Sequence, residues 1–270
     1  MTHPVLIDLG RIKLHSYGLM IFLAFAASTL LAIHRAKANG IKSDVVMDMV
    51  VWILISSLLG ARLTYVVFHL SEFRGRWLDV ISPIQSDGTV GIAGLVVLGG
   101  VALAIPVAVY FLKKRDIPTL KMLDILVPSL TLGMAIGRIG CLLNGCCFGI
   151  PTGIGWGTVF PTTCLAGSVY PGEHLHPTQV YESLYGLVIM GVLLLRSPHR
   201  KFTGELFYLF LVLYGIARFF NETIRHYQSS MVPFQIGSTD ITVSMLGTLS
   251  MILIGLMLLL HGYKTQQGKT

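Results

Sequence analysis

Seven stretches of this chain are apolar for close to the length a helix needs to cross a bilayer. They are Tyr17–Ile33, Val45–Leu70, Gly91–Leu112, Leu120–Gly140, Thr178–Leu195, Leu206–Phe220 and Ile241–Leu260. A spanning helix takes roughly 20 mostly apolar residues. In hydrocarbon every backbone amide must be paired internally, so only helices or a closed barrel can span. The runs are continuous rather than alternating, which argues for helices and against a barrel. Charged residues make up 12% of the chain, about half the usual share of about 25% in soluble domains. The expected fold is therefore an all-α integral membrane protein of about seven transmembrane helices, forming one polytopic domain over residues 1–270. The opening "MTHPVLIDLGRIKLHS" has no basic region followed by an apolar core, so no cleavable leader is expected.

Lysine and arginine set the expected orientation, because they concentrate on the cytoplasmic side. The connections after the first, third, fifth and seventh segments hold most of them, among them Arg35, Lys37, Lys113, Lys114, Arg115, Arg200 and Lys201. No lysine or arginine occurs between Arg138 and Arg196. The amino terminus is thus expected outside and the carboxyl terminus in the cytoplasm. Two outer loops, about 71–90 and about 141–177, exceed what a connection needs and are expected to be structured. The net charge of +7 suits loops near anionic lipid heads. No basic stripe interleaved with aromatics appears, so no nucleic-acid partner is expected.

Polar residues gather at the outer ends of the helices. The first segment starts near Tyr17, the fourth ends at Arg138 with Asn144, Gly145 and Gly149 just beyond, and the fifth starts with "HPTQVYE". The sixth ends in "YGIARFFNETIR", where Arg218, Glu222 and Arg225 fall at i, i+4 and i+7 and share one helix face. Charged side chains at membrane depth are costly and normally face a bundle interior or cavity. Arg138 and Arg218 together suit bidentate capture of a phosphodiester, with Glu222 neutralising one arginine. Snorkelling to lipid headgroups is the plainer alternative for any single arginine. His176 is either a loop histidine before a helix start or a neutral imidazole able to take a proton. Tyr17 and Tyr181 read first as interface-belt aromatics, the commoner role of a lone membrane tyrosine.

All four cysteines, Cys141, Cys146, Cys147 and Cys164, fall in one outer stretch. An oxidising compartment permits disulfides, and bonds from Cys164 back to the 141–147 segment would staple the loop to the fourth helix. Free thiols are the next reading. A zinc site or redox chemistry is the third reading, since the C-x4-C-C spacing lacks the usual C-x2-C of zinc sites; the expectation is no metal and no cofactor.

Taken in order, these motifs resemble those of prolipoprotein diacylglyceryl transferases over most of the chain. "SYGLM" and "GARLTYVVF" match the early motifs of that family. "GRIGCLLNGCCFG" is similar to its GRIGNxxNGExxG signature, "HPTQVYE" to its HPSQLYE motif, and "YGIARFFNETIR" to its Y-G-x-x-R-F-x-x-E-x-x-R motif; "LGTLSM" is a weaker likeness. The resemblance implies an enzyme of the bacterial inner membrane with its active site on the outer face. It would move the diacylglyceryl group of phosphatidylglycerol to the lipobox cysteine of a prolipoprotein signal peptide, releasing glycerol phosphate. Arg138 and Arg218 would bind the phosphate with Asn144, Gly145, Gly149, Glu222 and Arg225 around it, and His176 or water near Tyr17 would serve as base. Three positions depart from the family pattern. Leu98 stands at a family His or Tyr, Cys141 at an Asn and Cys146 at a Glu. A cysteine-bearing branch that keeps the activity is the favoured reading, and a catalytically diverged member the alternative. A transporter fits less well, since polar groups sit at helix ends rather than the midplane. A thiol oxidoreductase lacks its C-x-x-C.

Overall fold

A computed structural model of the chain describes residues 5–8, 13–73, 75, 94, 96–227, 234–236 and 239–267. Its elements in chain order are β1 (Val5–Asp8), β2 (Lys13–His15), α1 (Ser16–Ala38), α2 (Ser43–Phe68), α3 (Val97–Lys114), α4 (Thr119–Asn144), α5 (Leu165–Val169), α6 (Thr178–Arg196), α7 (Glu205–Thr223), β3 (Phe234–Ile236), β4 (Thr239–Ile241) and α8 (Val243–Gln267). Among the described residues seven helices are long and apolar enough to cross a membrane, and each coincides with one of the seven apolar stretches. The protein is a multi-pass membrane protein. The strands form two short antiparallel hairpins, β1–β2 and β3–β4, each running into a long helix.

Helix ends differ from the apolar runs where backbone chemistry intervenes. α3 is Val97–Lys114, and Gly94 ahead of it takes a φ of +73°, outside the right-handed helical region. α7 starts at Glu205 and ends at Thr223, longer at both ends than its apolar run. Its first turn is capped from another helix: the Asp124 carboxylate of α4 accepts from Gly204 N (2.7 Å) and Phe207 N (3.0 Å). A carboxylate there satisfies orphan amides and complements the helix dipole. Thr242 does the same for α8, accepting from Met245 N at 3.1 Å.

The chain forms two compact units, residues 36–122 and residues 1–35 with 123–270. In the first, α2 packs on α3 through glycine. A side chain at Gly99 would run into Thr64 and the Gly60 carbonyl, so the backbones approach closely there. Arg115 pairs with Asp48. Leu98 is 80% exposed. The second unit centres on α4, α6, α7 and α8. Val127, Ile189, Leu193, Leu206 and Phe210 form its buried apolar cluster, and Ser183 Oγ donates to Ala135 O at 2.8 Å where Gly186 meets α4.

Pro128 interrupts α4 inside its span. Proline lacks an N–H and leaves the carbonyl four residues earlier, that of Asp124, without its helical donor. Buried Arg35 of α1 fills that gap: NH2 donates to Asp124 O (3.2 Å) and Nε to Ile125 O (2.8 Å). This answers the requirement that backbone polar groups in hydrocarbon be satisfied by protein.

The 141–177 loop is structured, as expected. Phe148, Phe160, Cys164, Ala166 and Leu175 give it a small core, and Leu175 bridges to both Pro151 and Thr158. Of the 71–90 loop only Ser71–Phe73, within a 3-10 turn, and Gly75 belong to the described residues; the rest of that expectation lies outside them.

Arg35→Ala should leave two buried carbonyls under-satisfied, at a cost of about 1–3 kcal/mol, and lower the thermal midpoint in detergent. Adding Pro128→Ala restores an N–H for Asp124 O, so the double variant should recover part of the loss. No recovery would remove Pro128 from this explanation.

Candidate functional site

Glu182 sits one turn into α6 and is 3% exposed. A buried carboxylate is tolerated only if paired, and this one is paired twice. Arg138 of α4 reaches Oε1 at 2.8 Å, and Arg218 of α7 reaches Oε2 at 2.8 Å. Tyr214 OH and Asn221 Nδ2 add longer hydrogen bonds. Arg218 also pairs with Glu222, one turn further along α7. Glu222 accepts in addition from Ser244 Oγ of α8 at 3.0 Å and lies 3.7 Å from Arg225. Arg138, Arg218 and Arg225 thus surround Glu182 and Glu222, which leaves one net positive charge.

The surplus charge borders a cavity of about 610 Å³. Tyr17, Arg138, Cys141, Cys147 and Arg225 line its polar part, and Ile21, Phe25, Leu130 and Met134 much of its apolar part. The sequence expectation pairs Arg138 with Arg218 for an anion. The two do meet, on Glu182, but the arginines on the cavity wall are Arg138 and Arg225. Arg218 is held between two carboxylates and does not line the cavity. Asn144, Gly145, Gly149, His176 and Glu222 do not line it either.

Several of those residues instead build the turn after α4. Gly145 has a φ of +69° and Cys147 a φ of +62°, the left-handed region that side chains other than Asn and Asp seldom adopt. The turn is clamped by the "HPTQ" motif: Thr178 Oγ1 donates to Cys147 O (2.7 Å) and Gln179 Nε2 to Cys146 O (2.7 Å). Both side chains are 1% exposed. Gly149 N donates to His176 O at 3.0 Å, and Ile150 N to Ile224 O at 2.9 Å. A Cβ on Gly149 would strike His176 and the Ile224 carbonyl, which explains a glycine there. The His176 ring faces Tyr181 OH at 3.4 Å, and that hydroxyl also accepts from Trp156 Nε1 at 2.9 Å. His176 is thus placed to support the loop, away from the cavity wall on which a base would act. Tyr17 is on that wall. The His226 ring stacks on Phe148 and meets Tyr170 OH at 3.0 Å; burial lowers its pKa below the usual imidazole value.

The expected staple from Cys164 to the 141–147 segment is not formed. All four cysteines are free thiols. Cys164 Sγ donates to Pro161 O and packs in the loop's apolar core. The other three turn together instead, with their sulfurs all within 4.8 Å of one another. Hydrogen bonds from the Cys141 and Cys146 thiols push the Cys147 thiol well below its usual pKa against the effect of burial, and Arg225 and Arg138 add to the shift.

Glu182 is absent from the residues expected from sequence, although it lies inside the quoted "HPTQVYE". The signal was there: a glutamate at the start of an apolar segment, in a chain with 13 acidic residues, has to find a cation.

The sequence profile described as prolipoprotein diacylglyceryl transferase matches residues 4–261. A phosphatidylglycerol–prolipoprotein diacylglyceryl transferase of Clostridium tetani is 34% identical over 82% of this chain and 85% of its own length. One from Trichormus variabilis is 31% identical over 90% of this chain and 88% of its own. One from Finegoldia magna is 33% identical over 77% and 78%.

Glu182→Gln leaves three arginines facing one carboxylate, whereas Arg218→Gln leaves two of each. The double variant restores the native net charge. It should melt higher than the sum of the single losses allows, with a coupling of about 0.5–3 kcal/mol. Strict additivity of the thermal shifts would show that the pair does not act as a unit.

Proposed function

Because the chain belongs to the prolipoprotein diacylglyceryl transferase family, we propose that its cavity receives phosphatidylglycerol and passes the diacylglyceryl group to a prolipoprotein cysteine. The observation that carries this reading is the make-up of the cavity wall: Arg138 and Arg225 in its polar part, and Ile21, Phe25, Leu130 and Met134 in its apolar part. A phospholipid has the same division. Its phosphodiester carries one negative charge, which matches the single surplus positive charge of the arginine–glutamate cluster.

The chemistry moves charge toward those arginines. The acceptor thiolate attacks the glyceryl carbon that bears the phosphate. The carbon–sulfur bond forms as the carbon–oxygen bond breaks, and the electron pair goes to the phosphate oxygen. Total charge is unchanged, but one negative charge passes from sulfur to phosphate. Guanidiniums fixed near that oxygen stabilise the developing charge more than the ground state. Glu182 and Glu222 keep the three arginines from repelling one another, and Arg218 acts as a positioning residue that ties α6 to α7. The acyl chains lie along the apolar wall, where they need not leave hydrocarbon.

We place the protein in the bacterial inner membrane with this cavity on the outer side. The distribution of lysine and arginine supports that orientation, since Arg138 begins the long stretch without a further basic residue.

A bacterium depleted of its own transferase and expressing this chain should make thioether-lipidated lipoprotein. Arg138→Ala and Arg225→Ala should each lower transfer on the order of 100-fold, with the protein still present in the membrane. Wild-type rescue by both variants would remove the cavity arginines from the mechanism. Failure of the unaltered chain to lipidate any acceptor would contradict the function itself.

A further inference from the structure

Three cysteine thiols converge beside the cavity, and the transfer chemistry just described gives them no role. We propose that Cys141, Cys146 and Cys147 form a three-thiolate site for a thiophilic d10 cation, zinc by its chemistry, whose fourth position opens on the cavity and takes the acceptor thiol. The second half of this inference rests on the diacylglyceryl-transfer reading; the cation site stands on the geometry alone.

The three sulfurs lie within 4.8 Å of one another. Zinc–sulfur bonds of about 2.3 Å place tetrahedral ligand sulfurs about 3.8 Å apart, so the group needs only to draw in slightly. Cys146 and Cys147 are consecutive, and Cys147 holds a left-handed φ of +62°. The turn is held from behind by the buried Thr178 and Gln179 side chains on the Cys147 and Cys146 carbonyls. Rigid support of this kind orients metal ligands.

Arg138 and Arg225 share the cavity wall with Cys141 and Cys147. Three protein ligands leave one tetrahedral position for water or substrate, the pattern of zinc sites that do chemistry. When an incoming thiol takes that position it displaces the water ligand and releases its proton to solvent. It remains bound as a thiolate, the form that attacks. No oxidant or reductant is involved. The ion would then do what a general base does elsewhere, which suits a chain whose His176 is turned toward Tyr181.

Full-length protein, purified in detergent and kept reduced, is titrated with Cd2+, Zn2+ and Co2+. The expected result is one cation per chain, with a thiolate-to-cadmium charge-transfer band. Cys147→Ser should weaken binding at least ten-fold, and Cys164→Ser should leave it unchanged. Absence of a stoichiometric band in the unaltered protein overturns the site whatever the variants do, as does full binding by a variant with serine at all three positions. A lipobox peptide bearing cysteine should shift the visible bands of the Co2+ form, and its serine counterpart should not. Unchanged bands with the cysteine peptide overturn the open fourth position. None of these readouts involves lipid transfer. Cation binding by a chain that never lipidates a peptide upholds the site and contradicts the transferase reading. Undiminished transfer by cation-stripped protein overturns the cation's role and leaves that reading intact.

Discussion

Glu182 accepts from Arg138 through one oxygen and from Arg218 through the other, and so ties α4 and α7 together by way of α6. Charged side chains on spanning helices need partners from the protein itself. The carboxylate supplies both partners at once, and the closeness of three helices at this end follows from it. Glu222 extends the pairing to α8 through Ser244. The cavity inherits its charge from this arrangement, because two carboxylates among three arginines leave a surplus of one. A site with three unopposed arginines would not pack.

The opposite end of the same helices solves a related problem by similar means. Asp124 caps α7, Arg35 supplies donors that Pro128 cannot, and Glu205 accepts from both Arg196 Nε (2.6 Å) and Tyr263 OH (2.8 Å). Polar groups at both ends bracket an apolar middle built on Val127, Ile189, Leu193 and Phe210. Structural and functional charge are distinguished by what they face. Asp124 and Glu205 are spent on backbone amides and neighbouring side chains, whereas Arg138 and Arg225 retain a face on a cavity.

The seven helices were legible in the sequence because hydrocarbon imposes a length and an apolar content that few other contexts share. The Arg218–Glu222 pair was legible too, since i, i+4 spacing is a local property, but the expected helix face stops there: α7 ends at Thr223, and Arg225 lies beyond it in a bridge to Gly149. What spans long separations was not. Nothing local says that Glu182 lies between arginines 44 residues upstream and 36 residues downstream, or that Arg225 rather than Arg218 reaches the cavity. His176 looked like a base because imidazoles often are; which residues line the cavity is set by the packing of distant segments, and His176 is not among them. The disulfide staple was not foreseeable as absent, because it depends on where the loop sends each thiol: Cys164 is directed into an apolar core, and the sulfurs of Cys141, Cys146 and Cys147 lie together instead. The hairpins before α1 and α8 were missed because their strands are only three or four residues long.

The central claim is that a lipid phosphate occupies the surplus charge shared by Arg138 and Arg225. The most direct test is a structure of the chain in lipid with phosphatidylglycerol and no acceptor peptide. The account predicts phosphate density within hydrogen-bonding distance of both guanidiniums, with an acyl chain running along Phe25, Leu130 and Met134. A phosphate bound out of reach of either arginine, or a cavity filled by acyl chains alone, would contradict it.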